Sequence, residues 1–274
     1  MKLAEYFASL KRSIRRVRSN AIGPMISETA IKKSLAALPR GEGSAVLIHS
    51  SLSSAGYIIG GSKSVIRSIK STFPGFTICF PTHTYCYPCD DGSCEVFDRS
   101  KTPSRVGAIT NEFLQEREHL RSLHPTHSLA AIGPVAQSFT SDHEKCDTPC
   151  GKGTPYEKLI EQDAAVLMFC TTLNAYTLFH TAEDAANVSY LYEPTPYLLR
   201  YRNFAGLEVP YKMRRQDMGV PRRFSEMDDW MESEGLLFRR ALGRSQILWI
   251  PSSRRVHRAL LSELKVNPKL LIRS

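Results

Sequence analysis

No apolar run in this 274-residue chain approaches the roughly 20 residues a membrane helix needs; stretches such as Ala164–Cys170 stop far short. No charged-apolar-small leader opens the chain, because polar and charged groups run through its first 20 residues. Seven cysteines, an odd number without a secretion signal, argue against a disulfide framework and for reduced thiols in the cytoplasm. Internal repeats and low-complexity tracts are missing. So are Gly-x-Ser-x-Gly, the Walker A loop and Gly-x-Gly-x-x-Gly, which removes the hydrolase elbow and the common nucleotide loops. What remains, at 42% hydrophobic and 23% charged residues, has the balance of a globular protein.

The net charge of +9 is unevenly spread. Residues 1–40 carry nine Lys/Arg against Glu5 and Glu28, so +7 of it is N-terminal and the body is nearly neutral. A nucleic-acid binder needs a basic stripe across the fold, so nucleic acid is not an expected partner. Within residues 1–24, Leu3, Phe7, Leu10, Ile14 and Val17 form one apolar helical stripe, opposed by Lys11, Arg12, Arg15, Arg16 and Arg18. Such a basic amphipathic helix packs its stripe on the domain or makes weak peripheral membrane contact through residues 1–20.

Beyond it the pattern alternates. Helical spacing over 27–38 (with Ser27 as cap), 62–73, 106–115, 155–161, 177–188 and 254–264 is interleaved with strand-like runs. Those runs are 45–49, 76–81, 129–133, 164–171 and 247–251, several of them apolar on both faces. This predicts one α/β domain over 25–274, three layers α/β/α around a largely parallel sheet. Residues 189–244 read as an irregular Pro/Arg-rich elaboration beside the acceptor side of the site. Nothing in the sequence specifies an oligomer.

Reactive side chains gather where the expected strands end, the place where open α/β sheets bind ligands. Five of the eight histidines fall there: His49, His83, His124, His127 and His180. His180 and Glu183 are three apart on an expected helix and so share a face, the arrangement by which a carboxylate fixes an imidazole as a general base. A surface pair without chemistry has the same spacing. Cys86, Cys89 and Cys94 are compatible with zinc or with a cysteine-bearing loop. His124-x-x-His127 has a Pro between its members and no third ligand fixed by sequence.

Taken in order, several segments resemble the aminoglycoside 3-N-acetyltransferase family. They are His49-Ser50-Ser51, Gly60-Gly61, Pro81-Thr82-His83-Thr84, Thr102-Pro103-Ser104-Arg105-Val106-Gly107, Arg121-Ser122-Leu123-His124-Pro125-Thr126-His127-Ser128, Gly151-Lys152-Gly153-Thr154-Pro155 and Thr177-Leu178-Phe179-His180-Thr181-Ala182-Glu183. The resemblance covers roughly residues 25–272. It implies acetyl-CoA as co-substrate, an amine-bearing sugar as acceptor and no required metal. It further implies His180 as catalytic base, Glu183 as its orienting partner, Thr177 in the same pocket, and His49, Ser50, Ser51, Arg105, Ser122 and Ser128 as coenzyme-binding positions.

The acceptor is less constrained. Over 189–223, Glu193, Glu208 and Asp217 face Arg200, Arg202, Lys212, Arg214, Arg215, Arg222 and Arg223, an excess of +4. Bordering the site, that excess favours an anionic or nucleotide-linked amino sugar. The acidic stretch Asp90, Asp91, Glu95 and Asp98 argues instead for a polycation. A non-catalytic coenzyme-A-binding relative is the alternative from another class.

Overall fold

A computed structural model describes residues 25–84, 86–88 and 94–273. The expected helix over 1–24 with its membrane contact, and Cys89, Asp90 and Asp91, lie outside the described residues. Among the described residues no helix is long and apolar enough to cross a membrane.

The first half of the chain runs β1 (Met25–Ile26), α1 (Glu28–Ala36), β2 (Ala45–Ser50), α2 (Leu52–Ala55), β3 (Tyr57–Ile58), α3 (Gly61–Thr72), β4 (Thr77–Pro81), α4 (Ala108–Phe113), β5 (Leu120–Arg121) and β6 (Leu129–Ile132). The second half runs α5 (Ala136–Thr140), α6 (Pro155–Glu161), β7 (Ala165–Phe169), α7 (Leu178–Ala185), β8 (Tyr197–Arg202), β9 (Glu208–Met213), α8 (Asp228–Ser233), β10 (Phe238–Leu242), β11 (Ser245–Ile250) and α9 (Ser253–Val266). Each long element expected from periodicity is present, and Ser27 caps α1 by accepting from the Ala30 amide at 3.1 Å.

Seven strands form one sheet in the order β10-β11-β7-β2-β4-β6-β5. Successive side chains of a strand point to opposite faces, and both faces here are covered. Ala45, Leu47, Val166, Met168, Leu248 and Ile250 pack with α5, α6, α7 and α9. On the other side Val46, Ile48, Leu167, Ile247 and Trp249 pack with α1, α3 and α4. The three layers are therefore real.

The largely parallel sheet is not. Only β2–β4 and β2–β7 are parallel, while β4–β6, β5–β6, β7–β11 and β10–β11 are antiparallel. Strands apolar on both faces report that helices cover both faces; they do not report strand direction. The edge connections decide direction instead. Between β10 and β11 there are only Gly243 and Arg244, a hairpin turn in which Gly243 takes φ +60°.

The stretch 189–244 is also more regular than its composition suggests. β8 and β9 form an antiparallel hairpin that buries Leu199, Tyr201, Tyr211 and Met213 against Phe97, Leu123 and Cys86. Its outer face carries Leu198 and Arg200, both exposed. Period-two alternation was present but was obscured by arginine and tyrosine.

Candidate active site

The parallel trio β7-β2-β4 points its carboxyl ends at one cleft of about 450 Å³. His49 and Ser50 end β2, His83 follows β4, and Thr171 and Thr172 follow β7; all line the cleft, as do Thr177 and His180 of the next turn and helix. This is where unpaired strand and helix termini favour ligands.

His180 lies in the first turn of α7, one turn before Glu183. Its Nδ1 is 2.6 Å from Glu183 Oε2; the Glu183 side chain is fully buried and that of His180 is 24% exposed. The pair is thus not a surface ornament. With Nδ1–H donating to the carboxylate, Nε2 of the neutral ring carries the lone pair. Phe224, 5.2 Å away edge-to-face, holds the ring from the side.

The other carboxylate oxygen, Oε1, accepts from Arg222 Nε at 3.0 Å. Burial alone pushes the Glu183 carboxyl up. The hydrogen bond and charge of His180, with the charge of Arg222, outweigh that and hold it below the ordinary range. Arg222 is itself fastened: its Nη1 donates to the carbonyls of Val220 (2.5 Å) and Asp217 (3.1 Å), and its guanidinium lies 5.1 Å from the Tyr190 ring centroid. A short antiparallel bridge pairs Arg222 with Ile272, flanked by Arg223 N to Leu271 O and Arg273 N to Pro221 O, both 3.0 Å.

The remaining imidazoles form a different environment. His83 and His127 rings stand 4.4 Å apart, His124 and His143 stack at 4.2 Å, and His124 Nδ1 accepts from the His127 amide at 2.9 Å. Burial first, then His180, pushes His83 down to about 3; burial first, then neighbouring imidazoles, pushes His124 and His127 well below the ordinary value. His49, at the end of β2, is likewise held at about 3 by burial and then His83, and its Nε2 has no hydrogen-bond partner among the described residues. Among the described residues no group of three His, Cys, Asp or Glu side chains is placed to hold a metal ion.

The other nominated residues are distributed as follows. Thr177 is buried beside the cleft, and its hydroxyl does not cap α7. Ser51 follows β2 and bonds Ser54 Oγ at 2.8 Å. Arg105 is exposed, its amide donating to the His83 carbonyl at 2.7 Å. Ser122 and Ser128 are fully buried away from the cleft walls. Ser122 Oγ bonds His143 Nδ1 (2.9 Å) and accepts from the Leu129 amide (2.8 Å); Ser128 Oγ donates to the Thr82 carbonyl (2.8 Å) and accepts from Arg121 Nε (3.1 Å). Both brace the turn between β5 and β6 and are not at hand for a ligand in the cleft.

Sequence reasoning did not anticipate Arg222 as the carboxylate's partner. It counted Arg222 in a basic field whose members are partly paired. Arg200 and Arg202 pair with Glu208 (3.2 and 3.1 Å), Arg215 with Glu193 (2.9 Å) and Arg223 with Glu226 (3.1 Å). Glu193 and Glu208 are already subtracted in the excess of +4, so these pairs fix where the charge sits and do not cancel it. The cleft walls hold neither Lys nor Arg, nor any carboxylate, among the described residues.

Comparison with known proteins bears on the family and the fold. Aminoglycoside N(3)-acetyltransferase VII of Streptomyces paromomycinus is 27% identical over 187 residues, covering 60% of this chain; the match spans 62% of the relative's length. A solved aminoglycoside acetyltransferase AAC(3)-IVa in complex with gentamicin superposes with TM-score 0.79 at 24% identity, over 92% of this chain and 93% of that one. AAC-IIIb binary with CoASH gives 0.77 at 22%, over 89% and 97%. The aminoglycoside 3-N-acetyltransferase family model matches residues 47–260, which include His49, most of β2, all of β4 and β7, His180, Glu183 and Arg222. A match over most of the chain that takes in the entire cleft shows that the chain belongs to the aminoglycoside 3-N-acetyltransferase family.

Proposed function

We propose that this protein is an acetyl-CoA-dependent N-acetyltransferase acting on a primary amine of an aminoglycoside or related amino sugar. The observation that carries this is the His180–Glu183 pair at 2.6 Å on the wall of the cleft. The substrate amine is mainly an ammonium at neutral pH and cannot attack a thioester in that form. His180 Nε2 takes its proton directly or through a water. That first proton passes on to solvent; the freed nitrogen then forms a bond to the acetyl carbon, the carbon–sulfur bond breaks, and the second proton shed by the nitrogen goes through His180 to the leaving thiolate. Glu183, kept ionised by Arg222, fixes the ring and stabilises its charged form. Thr177 or a main-chain N–H donates to the oxyanion. Holding both reactants together removes much of the entropic barrier, so direct transfer needs neither an acyl-enzyme nor a metal.

The coenzyme reading favours His49, Ser50, Ser51 and Arg105, near the cleft; Ser122 and Ser128 would act through the turn they brace. Residues 25–274 constitute the transferase domain, and Cys79, Cys86, Cys146, Cys150 and Cys170, thiols outside any disulfide among the described residues, suit a cytoplasmic setting. Support for the two substrates comes from relatives solved with CoASH and with gentamicin. The test is thiol release from acetyl-CoA with a panel of aminoglycosides and nucleotide-linked amino sugars, with the product mass shift read in parallel. Acetylation of aminoglycoside amines is expected. Coenzyme binding without transfer to any amine would leave a non-catalytic relative.

A further inference from the structure

A hydroxyl carries one hydrogen, and at Tyr156 that fixes the proton on a neighbouring imidazole. Tyr156 Oη donates to the His127 carbonyl at 3.1 Å, a bond in which the phenol is the only possible donor. The same oxygen lies 2.9 Å from His83 Nε2. With its hydrogen already committed, the phenol accepts there, so His83 carries its proton on Nε2 and a lone pair on Nδ1. No hydrogen bond to that Nδ1 occurs within the described residues, and the half-buried His83 lines the cleft. Packing against His127 at 4.4 Å holds the ring in place.

We propose that His83 contacts the acceptor substrate, its Nδ1 receiving a hydrogen bond from an N–H or O–H donor of the amino sugar beside the amine that His180 deprotonates. This rests on the transferase reading above. The ring shares the cleft with His180. Groups that flank the base meet the remainder of the sugar once its amine reaches the base. The cleft walls offer that sugar neutral polar partners, His83, Gln216 and Asn174, with no carboxylate among the described residues. A neutral wall does not stabilise an ammonium as a carboxylate would, so the proton is easier to remove. His83 stays a neutral acceptor at working pH because burial and His180 push its own proton affinity far down. It thus recognises a donor without competing for its proton.

The test combines a spectroscopic and a binding readout. Ring ¹⁵N shifts of His83 in the coenzyme-free enzyme are expected to report the Nε2-protonated tautomer from pH 5 to 8, and Tyr156→Phe is expected to release it into a mixture. By calorimetry, which needs no turnover, His83→Leu and His83→Gln are expected to weaken aminoglycoside binding about tenfold, the loss of one hydrogen bond. Acetyl-CoA affinity should stay within about twofold, while His83→Asn, which keeps an acceptor near the Nδ1 position, is expected to restore most of the loss. A wild-type ring protonated on Nδ1 overturns the proposal. So does unchanged acceptor affinity in the Leu variant, or a loss that falls on acetyl-CoA instead. Failure of acetyl transfer with the tautomer and binding results intact would count against the transferase reading alone.

Discussion

Six of the eight histidines crowd the same end of the sheet, yet they divide into two electrostatic settings. His180 has a carboxylate at 2.6 Å, which is backed in turn by an arginine. His49, His83, His124, His127 and His143 have carbonyls, hydroxyls and each other, and burial holds all five below the ordinary imidazole range. The side chain is the same, but its partners decide its work. Beside an ionised carboxylate the ring can accept a proton and keep it briefly; among neutral groups it is a rigid, uncharged hydrogen-bonding plate.

The sharpest way to break this contrast is to remove one histidine from each setting. His180→Ala is expected to lower kcat by about 10²–10⁴ while acetyl-CoA affinity stays nearly intact, read by thiol release and calorimetry. His143→Ala, outside the cleft wall, should lower the thermal midpoint and leave kcat within about threefold. Equal losses of turnover in both would erase the division.

Acid comes next. The five neutral histidines have folded proton affinities below their unfolded value, so the unfolded state binds more protons as pH falls below about 6.5. Their contribution to stability is complete above that pH and declines toward about 3, the value to which His49 and His83 are held. Urea unfolding is expected to lose about 1.4 kcal/mol per pH unit for each imidazole kept neutral. Glu183, held below its ordinary range, adds its own loss as pH falls below about 4.5. A flat profile between pH 7 and 5 would mean that the cluster is hydrated and already charged.

Arg222→Met tests the backing of the carboxylate. It leaves a fully buried Glu183 without its guanidinium and should cost about 3 kcal/mol. With the guanidinium gone the Glu183 carboxyl rises, so the acid limb of the pH–rate profile should move to higher pH. The smallest effect is expected on the hairpin: Arg200→Ala removes an exposed pair with Glu208 and should change stability by less than about 1 kcal/mol.

Much of this was readable from sequence because it is local. The periodicities at 28–36, 61–72 and 253–266 recur every three or four residues, and His180–Glu183 is a one-turn relation on a helix. The unreadable parts are non-local. Strand direction depends on connections at the sheet edges, and two-sided apolarity carries no information about it. Arg222 meets Glu183 from 39 residues away, and a tally of charges treats it as a surface field. Ser122 and Ser128 stand in a motif shared with the family, but a motif does not say whether a hydroxyl faces a ligand or its own turn. The hairpin 197–213 escaped because its inward positions are partly tyrosine and its outward ones arginine.

The bridge between Arg222 and Ile272 ties the support of the buried Glu183 to a segment far from it in sequence. Loosening that segment would free the guanidinium and leave the carboxylate less compensated. Damage well outside the cleft would then be felt at its wall.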